Sequence, residues 1–190
     1  MRAQLIVSLS SLALASSAAS PVAPASWDGK CFYPKASGSF ELTSYLGRWY
    51  QVAGTKAPFT AGCKCIMADY ALNKDETVQV NNSCETPKGD FRNIVGTATP
   101  SKLPYGSKGV FHVEFPGSKA TDCPGPNYIV LDQKKDMAIV QTSNFTTLFL
   151  LSRRQKPETK VLDAWIRRAA SLGVKSGQVE RIDQSNCKYT

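Results

Sequence analysis

Between Trp49 and Arg153 the chain offers eight short strand-like stretches in succession, with turn signals between them and no helical pattern. This series constrains the fold more than any other feature. Strands joined directly by turns pair antiparallel, whereas a parallel sheet needs a long crossover, usually a helix, between partners. The stretches are 49–56, 65–72, 77–81, 91–99, 110–115, 128–131, 137–141 and 146–153. Asn73-Lys74-Asp75-Glu76, Pro87-Lys88-Gly89-Asp90 and Asp132-Gln133-Lys134-Lys135-Asp136 supply turns between them. Val78 and Val80 alternate with polar neighbours, and Phe111, Val113 and Phe115 share a face opposite His112 and Glu114. The series predicts an all-β fold, an eight-stranded antiparallel up-and-down β-barrel, in which closure removes aggregation-prone edges.

The pattern changes at 157. Residues 157–172 read as a helix, with Val161, Leu162, Trp165, Ile166, Ala169 and Leu172 on one apolar face and Gly173 as a stop. This α-helix is expected to pack outside the barrel. Residues 179–182 suggest a short strand, and the tail beyond it is held if Cys187 is bonded. On the other side, 40–46 suggest a single helical turn. Residues 21–39, rich in Pro, Ser and Gly, read as an arm lying over the domain and pinned through Cys31. The domain proper spans 40–190.

Residues 1–20 read as a secretory signal: Arg2, an apolar stretch too short to span a bilayer, then small residues fit for cleavage. The mature chain is therefore expected outside the cytoplasm. Asn81 and Asn144 then stand in acceptor sequences for N-glycosylation. An even count of six cysteines fits an oxidising compartment, although spacing alone leaves the pairing open. The formal net charge of +8 comes from Lys and Arg scattered along the chain. That balance permits contact with an anionic membrane surface, and no nucleic-acid motif accompanies it. With one histidine, His112, and no Cys-x-x-Cys pair, the chain suggests no metal site, no cofactor and no His-based triad. A monomer is expected.

Tyr45-Leu46-Gly47-Arg48-Trp49-Tyr50 opens the first strand, and Leu148-Phe149-Leu150-Leu151-Ser152-Arg153 closes the eighth. Trp49 and Arg153 can meet only if the strands wrap round. A guanidinium across the indole face is then worth roughly 0.5–2 kcal/mol and seals one end. Gly47-x-Trp49 at the start, Arg153 at the end, eight strands, one helix and a short strand together resemble the lipocalin family. The resemblance covers about residues 40–187 and is closest to the branch holding apolipoprotein D and the bacterial outer-membrane lipocalin. The turn 131–136 keeps Asp132 but departs from the Thr-Asp-Tyr usual there. The resemblance implies that Cys65 pairs with Cys187, tying the tail to the barrel, and that Cys31 pairs with Cys123. Cys63 and Cys84 then remain for each other; the competing arrangement is Cys84 with Cys187.

The resemblance also implies a barrel cavity that holds one small hydrophobic ligand, a lipid, fatty acid, sterol or similar molecule. Strand alternation and the resemblance together nominate Ala53, Tyr70, Phe111, Val113, Ile129, Phe149 and Leu151 as its lining. Gly47, Trp49 and Arg153 are structural. The expected function is a secreted, non-enzymatic carrier. One alternative is an isomerase of the lipocalin type, acting through a free thiol at Cys63. Another is a secreted effector that sequesters ligands or acts on membranes.

Overall fold

The computed structural model describes residues 25–189 other than 56, 107, 119–121 and 175. The expected signal at 1–20 lies outside the described residues. A hairpin of β1 (Ala25–Trp27) and β2 (Phe32–Pro34) precedes the single helical turn α1 (Leu42–Tyr45). Eight strands follow: β3 (Gly47–Gly54), β4 (Lys64–Leu72), β5 (Val78–Glu85), β6 (Phe91–Pro100), β7 (Val110–Glu114), β8 (Tyr128–Lys134), β9 (Met137–Gln141) and β10 (Leu148–Ser152). Each pairs antiparallel with the next, and β10 pairs back onto β3 from Phe149↔Gly54 to Ser152↔Tyr50, so the sheet closes. The helix α2 (Thr159–Ser171) and the short β11 (Glu180–Arg181) complete the chain.

Strand bounds agree with the sequence reading to within a few residues. The largest difference is at β5, which continues through the polar run Asn82-Ser83-Cys84 to Glu85. Its backbone is paired with β6 along that whole length and with β4 at Asn82, Ser83 and, across a bulge, Glu85. Ladder bonds on both sides outweigh the weak strand preference of Asn and Ser.

Buried apolar side chains fall into two groups. One lies within the barrel and includes Trp49, Tyr70, Val80, Phe111 and Leu151. The other lies between the barrel's outer wall, α2 and the N-terminal arm, and includes Val52, Ile139, Leu150, Leu162 and Ala169. Trp165, Ile166 and Leu172 pack on this second group, while Val161 stands 39% exposed. Arg168 Nε donates to Asp132 Oδ2 at 2.9 Å, and Arg181 pairs with Asp163, so charged contacts also fix α2 against β8 and β11.

Two residues expected in the cavity belong to the outer group instead: Ala53, 0% exposed, and Ile129, 1% exposed. For Ala53 the cause is a β-bulge. Leu151 pairs with Gln51 but Leu150 pairs with Ala53, so Val52 is the extra residue and everything beyond it changes face. For Ile129 the cause is coverage. The outer face of β8 lies beneath the arm and helix and is as apolar as the inner one, so its alternation carries no phase.

The tail is built into the wall. The β3–β4 ladder ends at Tyr50↔Met67, and β11 takes the edge of β3 beyond it at Ala53 and Gly54. Cys65 N–H donates to Asp183 O, and the side-chain amide of the buried Gln184 donates to Gln51 O and Ile66 O, both at 2.9 Å. Cys65 is bonded to Cys187, Cys31 to Cys123 and Cys63 to Cys84.

Candidate ligand-binding site

The site begins at its floor. Gly47 holds a φ of +85°, in the region where L side chains are disfavoured, and so turns the chain sharply from α1 into β3. Trp49 follows, fully buried, with its indole N–H donating to Tyr45 O at 2.7 Å. Arg153 Cζ lies 3.9 Å from the centroid of the Trp49 ring. Its guanidinium also donates to Arg48 O, Ser44 O and Leu46 O, gathering the end of α1 and the start of β3 onto the last barrel strand. The plug therefore combines cation–π contact with three charge-assisted hydrogen bonds.

Above the plug is a cavity of about 630 Å³, within the range for sites that enclose a small molecule. Tyr70, Val113, Phe149 and Leu151, nominated from sequence, are in its wall. Phe111 instead lines a separate void of about 20 Å³ nearer the floor, with Tyr45, Tyr70 and Tyr128. Ala53 and Ile129 are on the outer face, as described. The reading from sequence missed Gln51 and Tyr128. Gln51 was in phase with Trp49 at a step of two, and its polarity masked that signal. Tyr128 opened a strand whose phase could not be set.

The floor of the cavity carries a chain of phenols. Tyr45 and Tyr128 hydroxyls are 2.6 Å apart, and those of Tyr70 and Tyr128 are 3.0 Å apart. The Tyr45 and Tyr70 rings stack at 5.5 Å between centroids. Burial pushes all three phenols up, Tyr70 to about 12 even though the Tyr128 hydroxyl opposes the shift, so they are neutral at ordinary pH. Gln51 is 4% exposed, and its amide nitrogen has no hydrogen-bond acceptor among the described residues. A Cβ at Gly54 would come within 2.8 Å of that nitrogen and 2.5 Å of Leu148 O, so only glycine leaves room for the amide.

The rim includes the one-turn 3-10 segments at 58–60 and 143–145. Asn144 accepts from Phe32 N–H at 2.8 Å, and its side-chain nitrogen lies 3.4 and 3.3 Å from the sulfurs of Cys31 and Cys123. Asn81, the other glycan acceptor in the sequence reading, sits mid-strand in β5 opposite Asp69 and Val95. His112, on the face of β7 opposite Phe111 and Val113, is half-buried with Nδ1 3.2 Å from Gly125 O.

A closed antiparallel barrel, plugged at one end by tryptophan and arginine and hollow above them, defines the calyx class of single-domain β-barrels. Residues 40–184 match the family model described as the lipocalin-like domain, and the chain belongs to the lipocalin family. Mouse apolipoprotein D is 27% identical over 166 residues, covering 84% of this chain and 85% of that protein. Outer membrane lipoprotein Blc of Vibrio cholerae is 27% identical over 154 residues, covering 79% and 86%. These place the chain in the branch containing both. Among solved structures, lobster apocrustacyanin A1 shares the fold with a TM-score of 0.61 at 20% identity, over 77% of this chain and 82% of that one.

Proposed function

We propose that this protein is a secreted carrier that holds one small hydrophobic molecule in the barrel cavity. The observation that carries the reading is the 630 Å³ lumen, sealed below by Trp49 and Arg153 and walled by Tyr70, Val113, Phe149 and Leu151. Burial of apolar ligand surface there gains roughly 25 cal/mol per Å² removed from water, which suffices for binding without any reaction. Secretion is supported by three disulfides, which persist in oxidising compartments. The isomerase alternative needs a thiolate at Cys63, and that sulfur is bonded to Cys84. Native mass spectrometry of the protein purified from culture medium tests the proposal. A copurifying apolar molecule, released by organic extraction and rebinding one to one, is the expected result. A lumen that takes up no apolar probe after extraction would overturn it.

A further inference from the structure

The phenol chain has more protons than it uses. Tyr45, Tyr128 and Tyr70 bring three O–H donors, and the two contacts between them consume two. Whichever way the chain is oriented, one proton is left without an acceptor among the described residues. When Tyr45 donates to Tyr128, the spare proton is on Tyr128 or Tyr70, both of which stand in the wall of the large cavity, and it can be offered to the occupant. Gln51, in the same wall, has an amide nitrogen that is likewise unmatched. The terminal torsion of a glutamine is broad, so the nitrogen can turn to the lumen without backbone movement. A buried donor left without an acceptor is costly, and an occupant with an oxygen acceptor recovers that cost.

The sign of the charge narrows the class further. The described residues lining the cavity include no Lys, Arg or His and one carboxylate, Asp122. Arg153 is not among them, and its guanidinium is committed to Trp49 and three carbonyls. A carboxylate driven to this floor would be desolvated, and the cation beneath it, Arg153, whose charge also reaches Tyr45 and Tyr70, is already bound by Trp49 and three carbonyls, so the burial is unfavourable. An uncharged carbonyl loses little water and accepts from a neutral phenol.

Resting on the carrier reading, we infer that the cavity selects uncharged apolar molecules that lead with a carbonyl oxygen. The leading oxygen accepts from the Tyr70–Tyr128 pair, and Gln51 is a second donor for a molecule with another acceptor along its length. An anionic amphiphile with the same tail is held less well, because its head stays at the mouth.

The test compares three probes of one chain length, a methyl ketone, the alkane and the carboxylate, by displacement of a fluorescent apolar reporter from the full-length secreted protein. The ketone is expected to bind at least tenfold more tightly than either of the others. In the double variant Tyr70→Phe, Tyr128→Phe that margin over the alkane is expected to fall to within about twofold. Gln51→Met supplies a second variant if the double variant does not fold; it is expected to narrow the margin for a diketone more than for the monoketone. Equal binding of ketone and alkane, tightest binding of the carboxylate, or a margin indifferent to these variants would overturn the inference while leaving the carrier reading intact. No binding of any probe to the unaltered protein would overturn both.

Discussion

The guanidinium of Arg153 covers the indole of Trp49 at 3.9 Å while donating to the carbonyls of Ser44, Leu46 and Arg48. One side chain thus joins the final barrel strand to the first and to the turn that introduces it. Its removal leaves three acceptors to water and uncovers the indole. Arg153→Ala is expected to cost roughly 2–4 kcal/mol. Arg153→Lys is expected to recover only part of that, since an ammonium cannot span three carbonyls from one planar fork. Trp49→Ala empties the plug and is expected to cost about 3–5 kcal/mol. Urea denaturation measures all three. Ligand affinity, measured on the folded fraction, is expected to move less than stability; the opposite ranking would remove Trp49 from the structural role given to it.

The seam between β3 and β4 depends on Gln184, whose amide donates to one carbonyl on each strand. Gln184→Ala leaves both buried acceptors unpaired and is expected to cost roughly 1–3 kcal/mol. The effect should be local first. Amide exchange at Cys65 and Ile182, which bond to Asp183 O and Val52 O, is expected to accelerate well before exchange in β8 and β9. Uniform acceleration across the barrel would show instead that the tail contributes to global stability only.

Much of this architecture was legible in the sequence because short-range signals agreed. Turn residues fell between alternating runs, Gly47-x-Trp49 and Arg153 marked the first and last barrel strands, and Gly173 marked the end of α2. The cavity was legible where one face of a strand met water. On β7, His112 and Glu114 set the phase, so Phe111 and Val113 were placed inside. It was not legible where both faces were buried, as at Ile129, or where a bulge broke the alternation, as between Gln51 and Ala53. A one-residue slip of this kind exchanges the faces entirely. The phenol chain was invisible for a different reason: Tyr45, Tyr70 and Tyr128 are far apart in sequence and meet only through closure.

The phenols set an alkaline limit. Tyr70 titrates at about 12 in the fold against an ordinary 10.0, chiefly because burial disfavours the phenolate. The stability it contributes is fully present below pH 10 and is lost as pH rises through 12. Tyr45 and Tyr128 are shifted the same way. Absorbance of phenolate near the red edge of the tyrosine band is therefore expected to grow in a late step that coincides with loss of near-ultraviolet circular dichroism. Tyr70→Phe is expected to move that step to higher pH. A phenolate signal for these residues in a still-folded barrel near pH 10 would contradict their burial.

Asp28 sets a limit at the other end. Its carboxylate accepts from Cys31 N–H and Lys30 N–H in the turn of the arm, and from the Tyr105 hydroxyl. The Cys31 backbone donor is the largest cause of a pKa held down to about 2 against an ordinary 3.8. Its contribution is therefore present above pH 3.8 and lost as pH falls through 2. Carboxyl chemical shifts followed by NMR are expected to place the Asp28 midpoint at about 2. In Asp28→Asn the arm's amide protection, taken relative to intrinsic exchange at each pH, is expected to lose its dependence on pH across that window.

The two faces of the wall can be separated by adding volume to each. Leu151 borders the lumen opposite Gln51, so Leu151→Trp grows into empty space. It is expected to change stability by less than about 1.5 kcal/mol, since no packed neighbour is displaced. The same substitution takes up room that an occupant would need, so the stoichiometry or affinity of a bulky apolar probe is expected to fall at least tenfold. Ala53 is fully buried on the outer face among residues that pack against α2. Ala53→Leu has nowhere to put its added carbons and is expected to cost roughly 1–3 kcal/mol by overpacking. Uptake per folded molecule is expected to stay unchanged, because the lumen is on the other side of the sheet. Denaturation midpoints and probe titrations on the same two preparations supply both quantities. If Ala53→Leu lowered uptake while Leu151→Trp did not, the bulge at Val52 would have to be absent in solution and the lumen would be bounded by the other set of side chains.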